Sequence, residues 1–153
     1  MNDEFPEQTL SMSLRKINIG IRRYMDKSDI KKQIDNVTGT HGYIVGYLKS
    51  REGEDVFQRD VEKQFSMRRS TASSILALME KNGLIERQSV SCDARLKKIV
   101  LTDKANEYIA LFEDEGKALE GILSQGFNSG ELAVLDEMLK RLANNIVAAN
   151  SGL

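Results

Sequence analysis

Between Ser66 and Ser74 the chain reads SMRRSTASS, which places Arg68, Arg69, Ser70, Thr71, Ser73 and Ser74 within two turns of a helix start. Arginine spans paired acceptors bidentately, and short hydroxyls hydrogen-bond without holding the backbone away, so this cluster suits the polar edges of a flat ligand such as stacked bases. Capping and solubility are the competing use of the same side chains. A second candidate pair is Asp93 and Arg95, in the polar stretch Ser91, Cys92, Asp93, Ala94, Arg95. Taken alone, that pair also fits an exposed ion pair worth ~0–1 kcal/mol.

Catalytic and metal chemistry are poorly provided for. His41 is the single histidine, so neither a histidine triad with a spare base nor a multi-histidine metal site can be assembled, and it reads as a helix-start or pocket residue. Cys92 is the single cysteine, which excludes an internal disulfide. Its thiolate is disfavoured by Asp93 and favoured by Arg95, and it reads as an incidental exposed thiol or a redox sensor. Glu113, Asp114 and Glu115 read as a solvated helix face, and no glycine-rich phosphate loop occurs. The expectation is a protein that is not an enzyme and needs no cofactor or metal.

Charge is sorted along the chain. Residues 59–98 carry nine basic side chains (Arg59, Lys63, Arg68, Arg69, Lys81, Arg87, Arg95, Lys97, Lys98) against five acidic ones, a local excess of +4 in a chain of net charge −1. Residues 1–58 balance, and residues 99–153 are acidic by five. Counterion release from a polyanion depends on local positive charge, so a basic module on an acidic scaffold fits nucleic acid despite the overall balance; a solvated basic face is the plainer alternative. With 41% apolar and 29% charged residues the chain reads as globular. The start MNDEFPEQTL has neither the basic nor the apolar region of a signal peptide, and no apolar run approaches the ~20 residues that span a bilayer, so a cytoplasmic protein without a membrane partner is expected.

The elements that must position these residues follow from periodicity. Leu10, Leu14, Ile17, Ile21 and Met25 recur at helical spacing and predict an amphipathic helix over 10–32. Thr38 is placed to cap a second helix through Arg51, with Ile44, Val45, Tyr47 and Leu48 inward, weakened by Gly42 and Gly46. A short helix over Gln58 to Phe65 and a break at Ser66 and Met67 precede a helix from Arg69 to Asn82, with Ala72, Ile75, Leu76 and Met79 inward and Gly83 as its stop. The period then changes: LIERQSV (84–90) and LKKIVL (96–101) predict a hairpin. Thr102 caps a long helix with Ala105, Tyr108, Ile109, Phe112, Leu119 and Leu123 inward. Asn128 or Ser129, with Glu131 completing a capping box, opens a last helix striped by Leu132, Leu135, Leu139, Leu142 and Ile146.

Helix, tight turn, helix and hairpin over 58–101 form a helix-turn-helix with an attached wing, the arrangement that lays its second helix in a major groove. The run LMEKNGLIERQSVSCDARLKKIVLTDKA resembles the MarR family in its Gly-Leu-Ile-x-Arg helix exit, its wing Asp-x-Arg and its Leu-Thr before the next helix, a likeness covering about residues 38–105. It departs from the family pattern at Ala105, where glycine follows Leu-Thr-x-x. The resemblance implies a mainly α winged helix-turn-helix flanked by N- and C-terminal dimerisation helices, partitioned as 1–36, 37–104 and 105–153. It also implies that Arg95 enters the minor groove with Asp93 orienting its guanidinium, a role that a hairpin-tip carboxylate and a bidentate guanidinium suit physically.

The expected partners are double-stranded DNA, bound at a pseudo-palindromic operator, and a second copy of the chain. The candidate DNA-binding set is Arg68, Arg69, Ser70, Thr71, Ser73, Ser74, Arg87, Asp93, Arg95 and Lys97. The resemblance further implies a repressor whose affinity responds to a small phenolic or amphipathic ligand, with His41, Tyr43 and Tyr47 as lining residues by position, against an ordinary core role for the tyrosines. A winged helix that binds proteins without touching DNA and a small enzyme are the rival classes, the latter needing a polar cleft with perturbed titratable groups that the sequence does not advertise.

Overall fold

The computed structural model describes residues 9–28 and 39–152, apart from the side chain of Ala94. Among them are six helices and one antiparallel hairpin: α1 (Leu10–Met25), α2 (Gly39–Ser50), α3 (Gln58–Gln64), α4 (Arg69–Lys81), β1 (Ile85–Val90), β2 (Asp93–Leu101), α5 (Asp103–Ser124) and α6 (Ser129–Ser151). The fold is the expected mainly α winged helix-turn-helix. Thr38, expected to cap the second helix, and residues 29–32, expected to extend the first, lie outside the described residues.

Local chemistry sets the helix ends. Thr9 caps α1 by accepting the Met12 amide, Thr102 caps α5 by accepting that of Ala105, and Asn128 and Glu131 form the reciprocal box that opens α6. At α3 the Asp60 carboxylate accepts the Phe57 amide at 2.8 Å. The turn between α3 and α4 is made by Ser66 in the left-handed region (φ 49°), while the Met67 amide reaches back to the Glu62 carbonyl at 2.9 Å. The exit of α4 is a Schellman motif: Gly83 sits at φ 72°, its amide bonds the Glu80 carbonyl, and the Leu84 amide bonds that of Met79.

One apolar core holds these parts together. Ile44, Val45 and Leu48 of α2 meet Val61 of α3, Leu76 and Met79 of α4, Leu84 and Ile85 at the hairpin base, Ile99 of β2 and Ala105 of α5. Each full burial of this kind contributes about 1.5–3 kcal/mol, enough to fix the relative placement of two short helices that could not persist alone. Ala105 belongs to this core, and its amide donates to the α5 cap, so alanine at this position leaves the start of α5 regular. Tyr108, Ile109, Leu111 and Phe112 pack on the core from α5, whereas Leu123, expected inward, is exposed.

The hairpin differs from the expected one in its second strand. Pairing runs from Ile85 opposite Leu101 to Ser89 opposite Lys97 and then slips to Val90 opposite Asp93, so β2 starts three residues earlier than the apolar run and carries a bulge. The cause is side-chain chemistry, because Asp93 Oδ1 accepts the Arg95 amide at 2.9 Å and turns the backbone locally. The Ile99 amide also bonds the Val56 carbonyl at 2.7 Å, with a bridge between Phe57 and Lys98, so the segment ahead of α3 docks along the wing.

α1 and α6 contribute no buried residue. Leu10, Leu14 and Ile17 on one, and Val134, Leu135, Met138, Leu139, Ile146 and Val147 on the other, are exposed.

Candidate nucleic-acid interface

α4 is a two-faced helix. Ala72, Leu76 and Met79 fasten it to the core, which leaves Arg68, Arg69, Ser70, Thr71, Ser73 and Ser74 exposed at its start. Arg68 stands at the N-cap position and makes no side-chain cap. The hydroxyls divide by partner. Ser74 donates to the Ser70 carbonyl of its own helix at 3.0 Å, and Ser73 Oγ lies 3.2 Å from Gln58 Nε2, so Ser73 braces α4 against α3. Gln58 Nε2 also reaches Glu62 Oε1 at 2.9 Å and the Arg69 carbonyl at 3.4 Å.

The wing supplies the other side. Arg95 and Lys97 are exposed on β2, and the Lys97 ammonium bonds Ser89 Oγ across the hairpin. Asp93 acts through the backbone: its carboxylate holds the Arg95 amide, where a contact to the Arg95 guanidinium was expected. Arg87 lies 3.7 Å from Glu80 and so clamps β1 to the end of α4. Lys98 pairs with Asp55 at 2.9 Å behind the wing. Cys92 is exposed at the hairpin tip.

Between α3, α4 and the wing runs an open cleft of about 520 Å³ into which Arg59, Arg69, Arg87, Arg95 and Lys97 converge, with Glu62 the one carboxylate on its lining. Residues 36 positions apart, Arg59 and Arg95, thus share one surface, which the charge count could not show. Arg59 and Gln58 lay outside the expected site. Arg59 was visible in the sequence only as one of nine cations, since helix periodicity does not say which face of α3 meets the wing.

Among the described residues, His41, Tyr43 and Tyr47 have different surroundings. His41 is buried on the inner face of α2, and Tyr47 packs edge-on to Phe65 with ring centroids 5.8 Å apart, which is a core role. Tyr43 is exposed and borders two hollows: one of about 450 Å³ beside Ile21 and Met25 of α1, the other of about 500 Å³ beside Ile109 and Phe112 of α5. Among the described residues no cluster of His, Cys, Asp and Glu could hold a metal ion, and no helix is long and apolar enough to cross a membrane.

Comparison with known proteins agrees with this geometry. A profile of the MarR family matches residues 35–96. The HTH-type transcriptional regulator YybA of Bacillus subtilis is 25% identical over 134 residues, 87% of this chain and 87% of that protein. The transcription regulator MarR from Oenococcus oeni is 29% identical with a TM-score of 0.66, over 88% of this chain and 96% of that one. The S. aureus MepR protein in a MepR–DNA complex shares the fold at a TM-score of 0.80 and 24% identity, over 92% of this chain and 99% of that one.

Proposed function

We propose that the chain is a MarR-family helix-turn-helix transcriptional regulator that binds a pseudo-palindromic duplex as a homodimer and represses by occluding the promoter. The observation that carries this reading is the convergence of five cations on the cleft between α4 and the wing, beside a helix start crowded with exposed hydrogen-bonding groups. Arg68, Arg69, Ser70 and Thr71 read base edges in the major groove, and Arg95 enters the adjacent minor groove. Ser73, Ser74, Arg87 and Asp93 support them by fixing α4 and the wing. DNA binding is proposed for 37–104, and pairing between copies for 1–36 and 105–153. The MepR–DNA complex, of the same fold, supports the choice of duplex DNA as ligand.

An effector fits beside Tyr43, which borders open space on both sides of α2. An amphipathic molecule there touches α1 or α5 as well as α2, so its binding energy acts on the angle between the pairing helices and the winged part.

The test is a gel-shift titration against a duplex selected from a random pool, at several salt concentrations. Binding should weaken steeply with salt, and Arg68→Ala or Arg69→Ala should cost ~1–3 kcal/mol where the side chain reads a guanine. No duplex binding even at low salt would reject the regulator and favour a protein-binding module.

A further inference from the structure

Arg69 and Ser73 of α4 line the basic cleft together with Arg95 and Lys97 of the wing. Neighbouring major and minor grooves of B-DNA are separated by one sugar-phosphate strand. A protein that reaches one groove with α4 and the next with its wing must straddle that strand, and the cleft is the space left for it. We infer that this cleft is a seat for the intervening phosphodiester strand, and that Arg59 is its phosphate clamp on the α3 side. The inference rests on the regulator reading and assigns a contact that reading leaves out.

Three observations select Arg59. It lines the cleft from the helix that the groove-reading residues do not use. Its side chain is 74% exposed, so a phosphate can reach it. Its guanidinium is already steered, lying 5.4 Å from the Phe57 ring centroid with Nε 4.0 Å from Asp60 Oδ1. That long ion pair is weak, and Asp60 is engaged at its other oxygen by the Phe57 amide, so Arg59 can turn to a phosphate at little cost while the ring limits its wandering. Arg87, by contrast, is paired with Glu80, so it adds less net charge to the strand's seat than Arg59 does.

A phosphate contact and a base contact leave different signatures. Wild type, Arg59→Gln and Arg59→Lys are titrated against the selected duplex and a random-sequence duplex across a salt series, with thermal melts as the folding control. Arg59→Gln should weaken both duplexes alike, roughly tenfold per contact near 0.1 M salt, and lower the slope of log K against log salt by about 0.9 per protomer. Arg59→Lys, which keeps the charge, should hold the wild-type slope. An unchanged slope in Arg59→Gln, or a loss confined to the selected duplex, overturns the clamp while leaving the regulator reading intact. Failure of wild type to bind either duplex overturns both.

Discussion

Asp93 fixes where Arg95 starts from, by holding its amide rather than its guanidinium. The two positions therefore answer differently to substitution. Arg95 is exposed on the wing, so Arg95→Ala should change stability by no more than about 0.5 kcal/mol, the usual range for surface changes. Losing a groove contact of ~1–3 kcal/mol from each of two half-sites should lower operator affinity by about one and a half to four decades. Asp93→Asn keeps an oxygen acceptor for the Arg95 amide and should bind nearly as wild type. Asp93→Ala frees the bulge and should bind more weakly, though less so than Arg95→Ala. If the carboxylate instead orients the guanidinium by charge, Asp93→Asn and Asp93→Ala will lose affinity equally. Gel shifts at fixed salt beside thermal melts decide between these, and an Arg95→Ala protein that melts and binds normally removes the wing from the site. Residue types and spacing made the Asp93 and Arg95 pair readable in the sequence. They did not show that Ser73 is a brace or that Arg59 joins the cleft, because both depend on how α3 and α4 cross.

The glycines of α2 carry a lesson at the level of elements. By propensity Gly42 and Gly46 weaken the helix equally, yet their surroundings differ. A Cβ on Gly42 would stand 2.9 Å from Cδ1 of Phe112, whereas one on Gly46 meets nothing within 4 Å. Gly42 is therefore the point where α2 and α5 approach closely, and Gly46 is a plain loss of helix stability. Gly46→Ala should raise the stability of the folded protein by about 0.5–1 kcal/mol. Gly42→Val should lower it by ~1–3 kcal/mol through overpacking, with Phe112→Leu in the same chain restoring part of the loss. Chemical denaturation of the variants checks the pair, and equal signs at both positions would contradict the close approach. No periodicity distinguishes these glycines. Helix stops and caps, by contrast, are local chemistry, and so Gly83, Thr102, Asn128 and Glu131 were readable as punctuation. The early start of β2 was not, because an aspartate turn and a bulge have no hydrophobic period.

For the whole molecule, the unburied apolar faces of α1 and α6 set the expected assembly. Ile17 is 54%, Met138 52% and Ile146 65% exposed, on helices that share their stripe with Leu14, Leu135 and Leu139. Contiguous apolar patches beyond a few hundred Å² are uncommon on monomers, and the two faces together suit a symmetric interface above ~2,000 Å² in total. In the proposed dimer a twofold axis would repeat each α4 and wing on the duplex, and the second half-site would bind at the effective concentration set by the first. Replacing Leu135 and Leu139 by glutamate places two charges in each copy of that seam, on a helix that contributes no residue to the helix-turn-helix core, so the variant should fold yet run as a monomer in light scattering at micromolar concentration. Its duplex binding should fall toward the ~10⁻⁴–10⁻⁶ M range of non-specific contact, because one half-site loses its partner. Wild type should scatter as a dimer under the same conditions. A monomeric wild type, or a charged variant that stays dimeric, would mean that these stripes are not the seam, and the paired half-sites would have to be joined through other surfaces.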